Sequence, residues 1–198
     1  MQERLLKIEK LKEMGVEPYP YSFKDYTFSE KIKSDNAKLK IGEKGKKIIS
    51  VMGRLMTKRD MGKASFAHVQ DQEGQIQIYV REEDIDNFPV YELLDLGDIV
   101  GVRGHIFRTK KGEITLWVSE FQILGKSLRP LPEKFHGLQD AELRYRQRCL
   151  DLIANPDVKK RFLLRSKIIR KVREVLDAKG FVEVEIPTLQ PVYGGANA

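Results

Sequence analysis

From residue 47 to residue 124 hydrophobic and polar side chains alternate with a period of two, whereas the segments on either side repeat at three and four. The run KIISVMGRLMTKRDMGKASFAHVQDQEGQIQIYV predicts three strands, with turns at RDMGK and DQEGQ. Residues 82–96, EEDIDNFPVYELLDL, break the alternation and predict a short helical insert interrupted at Pro89. Alternation resumes in GDIVGVRGHIFRT and GEITLWVSEFQIL, joined by the hairpin signal KKGE. At the N-terminus QERLLKIEKLKEMG places Leu5, Ile8 and Leu11 at helical spacing before Gly15, and the prolines of GVEPYPYSF then enforce an extended path. Residues 29–47 are lysine-rich and weakly periodic, and a second short helix and a connector both remain open there.

Beyond the strands the period is helical again. In FHGLQDAELRYRQRCLDL the apolar stripe is Leu138, Ala141, Tyr145, Cys149 and Leu152, which predicts one amphipathic helix with Arg144, Arg146 and Arg148 off the stripe. NPDVKKRFLLRSKIIRKVREVLDAKGF predicts a longer helix with Phe162, Ile169, Val172 and Leu176 on its stripe and Gly180 at the stop. Arg165 falls on that same stripe, where a buried charge needs a partner. FVEVEIPTLQP alternates like a strand, to Pro187.

Three strands, a helical connection and two more strands are the order of the OB-fold, a small five-stranded barrel that binds oligonucleotides; another small barrel or sandwich is the alternative. The expected class is α+β, mostly β. Strand alternation puts Ala64, Phe66, His68 and Gln70 on one face of the second strand and Gln75, Gln77 and Tyr79 outward on the third. A ring, an imidazole and an amide on adjacent outward positions make a platform for unpaired bases, each stacked base contributing roughly 1–3 kcal/mol. Phe66 is the leading candidate, against the reading of a barrel residue covered by a loop. His68 is either a reader of bases or a surface histidine.

Charge sharpens this picture. The net charge of the 198 residues is +7, but residues 48–125 carry 9 basic against 12 acidic side chains, residues 1–47 carry 12 against 8, and residues 126–198 carry 15 against 9. The basic groups of the middle segment gather in its first and last hairpins, as Lys58, Arg59, Lys63, Arg108, Lys110 and Lys111, so a nucleic-acid face need only be locally basic. One cysteine excludes a disulfide framework and suits a reducing compartment. The three histidines have no metal-ligand spacing, and no nucleophile–base pair or Walker-type phosphate loop is present. No apolar run approaches the roughly 20 residues of a membrane span, and a cytoplasmic location without membrane contact is the expectation.

LRPLPEKFHGLQDAELRYRQRCLDLI resembles the segment joining the two domains of lysyl-tRNA synthetases, class II aminoacyl-tRNA ligases. The resemblance extends through GVEPYPYSF, GRLMTKRDMGKASFAHVQD, RSKIIRKVREVLDAKGFVEVEIPTL and GGANA, and is weakest over residues 24–47. Aspartyl- and asparaginyl-tRNA synthetases share the barrel and the helix-strand element, but the KFHGLxDxExRYRQR string resembles the lysine enzymes. The implied organisation is an N-terminal helical extension (1–47), an OB-fold anticodon-binding domain (48–125), an interdomain linker with an arginine-rich helix (126–157) and the start of a class II catalytic domain (158–198), its motif 1 incomplete.

The resemblance also implies roles. A Phe and a Gln sandwich the central base of the tRNA-Lys anticodon, with Arg and Glu contacts from the hairpins; the matching positions are Phe66, Gln77, Arg59 and Glu113, with His68 beside them. Arg144, Arg146, Arg148 and Arg165 are implied interdomain or interface groups. The element with Gly180 and Pro187 implies homodimerisation, and Gly194 and Gly195 a loop bordering the amino-acid pocket. Cys149 and Ile186 depart from the family's Tyr and Thr. The family forms lysyl-adenylate from lysine and ATP with Mg²⁺ and transfers lysine to tRNA, but its motifs 2 and 3 would lie beyond Ala198. The expectation is therefore a chain with no catalytic residue, metal or bound cofactor of its own, supplying anticodon recognition and part of a dimer interface. A free-standing tRNA-binding or regulatory protein derived from a synthetase is the alternative, and an interaction barrel without RNA is a third.

Overall fold

The computed structural model describes residues 1–132, 138–187 and 194. They divide into two compact units, residues 1–131 and 132–198. The division thus falls inside the segment expected as a linker, and residues 126–131 and the first 47 residues belong with the barrel.

In the first unit five strands close into a barrel: β1 (Lys44–Met61), β2 (Ala64–Gln70), β3 (Gln75–Arg81), β4 (Ile99–Arg108) and β5 (Ile114–Gly125), in the order β1-β2-β3-β5-β4. This is the OB-fold arrangement. β1 pairs with both β2 and β4, and the register shift between Leu55 and Thr57 lets this long strand bend from one neighbour to the other. The pairing is antiparallel except between β3 and β5. Residues 82–98 form a crossover from β3 past β5 to β4, as a 3-10 turn (Glu82–Asp84) and helix α3 (Phe88–Glu92), and the β4–β5 hairpin then lays β5 parallel to β3. Pro89 lies in the first turn of α3, where its missing N–H costs nothing, so it opens the helix rather than interrupting it.

Alternation fixes what is inside. Val51, Leu55, Val69, Ile76, Ile78, Ile106, Leu116 and Val118 are fully buried, each burial stabilising by roughly 1.5–3 kcal/mol. The crossover plugs one barrel end with Val90, Tyr91 and Leu94. Burial pushes the Tyr91 phenol up to about 12, and its O–H donates to Ser65 Oγ at 2.9 Å.

Helix α1 (Gln2–Glu13) buries Leu11 in the same core and ends at Gly15, whose φ of +73° lets the following amides reach back to the last carbonyls. Arg4 donates to the carbonyls of Ser127, Arg129 and Leu96, and Lys7 pairs with Asp95 at 2.7 Å. Helix α2 (Ser29–Asp35) resolves the open choice over residues 29–47. Its first residue, Ser29, donates to Asp71, whose carboxylate also takes the Glu73 and Gly74 amides and so holds the β2–β3 turn.

The second unit begins with two short helices where one was expected, α4 (Ala141–Arg146) and α5 (Arg148–Ala154), broken at Gln147 with φ −114° and ψ 56°. On one continuous helix Arg144 and Asp151 would stand about 10 Å apart along the axis. The break brings Arg144 Nε to 2.9 Å from Asp151, and Arg148 pairs with the same fully buried carboxylate. Burial pushes that carboxyl up, but hydrogen bonds from Asn155 and Arg144 and the charges of Arg144 and Arg148 outweigh it and hold the group below its ordinary value. Helix α6 (Pro156–Ala178) follows and stops before Gly180 at φ +82°. Residues 181–187, expected as a strand, carry no ladder, because no neighbouring strand exists for them to pair with among the described residues.

Candidate nucleic-acid interface

The outer wall of the barrel carries two cross-strand rows. Register aligns Arg59 (β1), Phe66 (β2), Tyr79 (β3) and Trp117 (β5) in one, and Thr57, His68, Gln77 and Thr115 in the next. Each side chain alternates with a buried core residue such as Ala67, Ile78 or Leu116, so the same pleat that fills the barrel turns both rows outward, with Thr115 itself covered by its neighbours.

The first row is aromatic. The Phe66 ring lies 4.7 Å from that of Tyr79, tilted by 34°, and Tyr79 meets Trp117 edge-on at 5.3 Å. Phe107 closes this group against Trp117 at 5.5 Å. Arg59 stands exposed beside Phe66 at the hairpin end of β1.

The second row is a hydrogen-bonded chain. Glu113, in the β4–β5 hairpin, accepts from Gln77 Nε2 at 2.9 Å and lies 3.3 Å from His68 Nε2. Thr115 Oγ1 donates to Gln77 Oε1 at 2.8 Å, and Thr57 Oγ1 lies 2.8 Å from His68 Nδ1. A carboxylate only accepts, so the Gln77 amide is fixed with its NH₂ toward Glu113, and His68 carries a proton on Nε2. Phe66 and Gln77 are diagonal neighbours, roughly 7–8 Å apart on such a face. That is about twice the 3.5–4 Å contact distance, the room a planar ring takes between two partners.

Arg59, Phe66, His68, Gln77 and Glu113 are therefore brought to one surface. The other expected residues stand elsewhere. Arg144 and Arg148 flank Asp151, Arg146 pairs with exposed Glu142 at 2.7 Å, and Arg165 is exposed on α6. The stripe that carries it, Phe162, Ile169, Val172 and Leu176, is also exposed. Pro187 and Gly194 are exposed, and Gly195 lies outside the described residues. Of the hairpin cations, Lys58 points away, with its ammonium 4.8 Å from the Tyr91 ring. Sequence reasoning missed Thr57, Thr115, Phe107 and Trp117. Alternation alone would have turned Thr115 and Trp117 outward, but only the non-local β3–β5 pairing sets them beside Gln77 and Tyr79.

Residues 49–124 match the family of OB-fold nucleic acid binding domains, and residues 140–198 match the tRNA synthetases class II (D, K and N). Over 98% of its length the chain is 54% identical to the lysine–tRNA ligase of Carboxydothermus hydrogenoformans and 49% identical to that of Syntrophomonas wolfei. It is 48% identical to the enzyme of Staphylococcus epidermidis over its whole length. Over nearly its whole length the chain is similar to lysine–tRNA ligases. It spans 39% of the length of the first two relatives and 41% of the third. The two family matches divide where the chain does, one within the barrel unit and one within the helical unit. No helix among the described residues is long and apolar enough to cross a membrane.

Proposed function

We propose that the barrel reads the anticodon loop of tRNA-Lys for a lysine–tRNA ligase, with an unpaired central base held between Phe66 and Gln77. The observation that carries this reading is the half-buried Gln77 amide, locked by Glu113 and Thr115 on the outer face of the barrel wall, diagonal to Phe66. A fixed amide presents one donor–acceptor pattern to a base edge and so discriminates, whereas the ring alone would stack any base. Arg59 supplies a cation for the loop backbone, and His68, held by Glu113, borders the pocket.

The ligase activity, with ATP, Mg²⁺ and lysine as its reactants and metal, belongs to the whole enzyme in this reading. The chain spans 39% of the length of its first relatives, so no step of adenylation is assigned to it. Alone it is inert, and an ATP–pyrophosphate exchange assay showing lysine-dependent turnover would overturn that. In the assembled cytoplasmic enzyme the exposed stripe of α6 and residues 181–187 serve a homodimer interface. Arg144, Arg146, Arg148 and Arg165 serve contacts between domains or subunits, and Gly194 and Gly195 border the amino-acid pocket.

The deciding experiment is an anisotropy titration of the chain with a labelled lysine anticodon stem-loop, with and without cytidine at the central uridine, at two salt concentrations. A loss of about tenfold or more on the swap, near 1.4 kcal/mol, is expected. Equal binding of both loops that collapses with salt would mean an electrostatic contact only and would end the reading.

A further inference from the structure

Trp117 is the chain's single tryptophan, and it stands on the outer wall while its neighbours Leu116 and Val118 are fully buried. A tryptophan serving the core would take one of their positions. Its indole Nε1 donates to Asp84 Oδ2 at 2.7 Å, which fixes the ring plane. Two cations lie over the ring: Lys44 Nζ at 3.8 Å from the centroid and the Arg81 guanidinium at 5.3 Å. Arg81 is already paired with Glu83 and Asp84. Lys44 is exposed and has no carboxylate in ion-pair range among the described residues.

A cation over a partly exposed ring face is held more weakly than a base stacked on it. A base arriving at Trp117 therefore displaces the ammonium. The lysine's flexible stem then leaves its charge free for the phosphate of the same nucleotide, which it binds as a point charge. Trp117 lies two strands from Phe66, roughly 9–10 Å, against about 3.4 Å per stacked nucleotide. Bases on both rings must be splayed apart, the state in which single-stranded RNA is read.

We propose that Trp117 and Lys44 form a second nucleotide subsite, which takes the unpaired base next in the strand to the one at Phe66, with Lys44 on its phosphate. This rests on the reading that Phe66 holds a base. Because the chain has one tryptophan, its emission reports the subsite without any mutation.

The experiment titrates the unmodified chain with the lysine anticodon stem-loop and with two versions lacking the base on either side of the central uridine, following Trp117 emission. The intact loop is expected to quench it, and one of the two abasic loops to bind without quenching. Trp117→Leu should weaken the intact loop about fivefold or more and leave that abasic loop unchanged, while Phe66→Ala weakens all three. Lys44→Gln should lower the slope of log affinity against log salt by roughly 0.7–1. Unchanged emission at saturation, or equal losses for intact and abasic loops with Trp117→Leu, would refute the subsite while Phe66→Ala still shows its effect. If Phe66→Ala leaves every loop unaffected, the Phe66 reading itself falls and the subsite with it.

Discussion

Glu113 accepts the Gln77 amide at 2.9 Å from a hairpin 36 residues further along the chain. Neither residue contributes to the core, so the bond positions rather than stabilises. Glu113→Ala should release the amide and the imidazole of His68 together. We expect binding of the anticodon loop to fall about tenfold while folding stability changes by about 1 kcal/mol or less, the range of an exposed hydrogen bond. Glu113→Gln keeps an acceptor for Gln77 Nε2 and should lose less. Equal affinities for both variants and the unmodified chain in the anisotropy titration would show that the amide needs no such support.

Phe66 packs on Tyr79 outside the barrel wall, at 4.7 Å between ring centres, and its removal opens no internal cavity. Phe66→Ala should therefore cost roughly 1–3 kcal/mol in RNA binding with the melting temperature nearly retained. Phe66→Tyr keeps the ring and should bind nearly as well. A collapse of the circular dichroism signal in Phe66→Ala would mean that the ring is structural after all.

The barrel was legible because its period-two pattern is local: Phe66, His68 and Gln77 face outward for the same reason that Ala67 and Ile76 face inward. Residues joined through space were harder to find. Trp117 and Thr115 become neighbours of Tyr79 and Gln77 only through the one parallel pairing of the sheet, whose register no local pattern specifies. Glu113 came from family resemblance, since an acidic residue on a presumed RNA surface contradicts a simple charge argument; its hydrogen bonds supply the reason for it. The helix over residues 138–152 was misread because its apolar spacing is regular, while the buried carboxylate of Asp151, which draws Arg144 and Arg148 together across the break at Gln147, leaves no periodic trace.

Gly104 faces the β5 backbone where the β4–β5 register shifts, and an added Cβ would come far inside van der Waals contact distance of the Trp117 carbonyl oxygen. Backbone cannot swing aside as a flexible side chain does, so the ladder itself must part. Gly104→Ala should destabilise the barrel by about 3 kcal/mol. It should also disturb Trp117 emission before any RNA is added. Urea unfolding measures the first effect, and a variant as stable as the parent would mean that the two strands have room to separate there.

Asp95 links three cations to the barrel: Lys126, which is fully buried, Lys7 at 2.7 Å and Arg4 at 3.9 Å. Burial raises its carboxyl pKa, but the hydrogen bonds from Lys126 and Lys7 and their charges outweigh burial and hold it below the ordinary 3.8. A carboxyl depressed in the folded state stabilises above its unfolded pKa, and that stabilisation is lost as pH falls through the lower folded value. Asp95→Asn should thus melt below the unmodified chain at pH 6, by the equivalent of about 1 kcal/mol after solvent screening. The gap should narrow below about pH 4, as the native carboxyl also takes up its proton. Lys126 keeps Asp98 and the Leu93 carbonyl in the variant, so the barrel should still fold. Limited proteolysis should then cut the N-terminal helix sooner, because α1 is held to Asp95 by Lys7 and Arg4. A melting gap that stays constant from pH 6 to pH 2.5 would show that Asp95 acts through shape rather than charge.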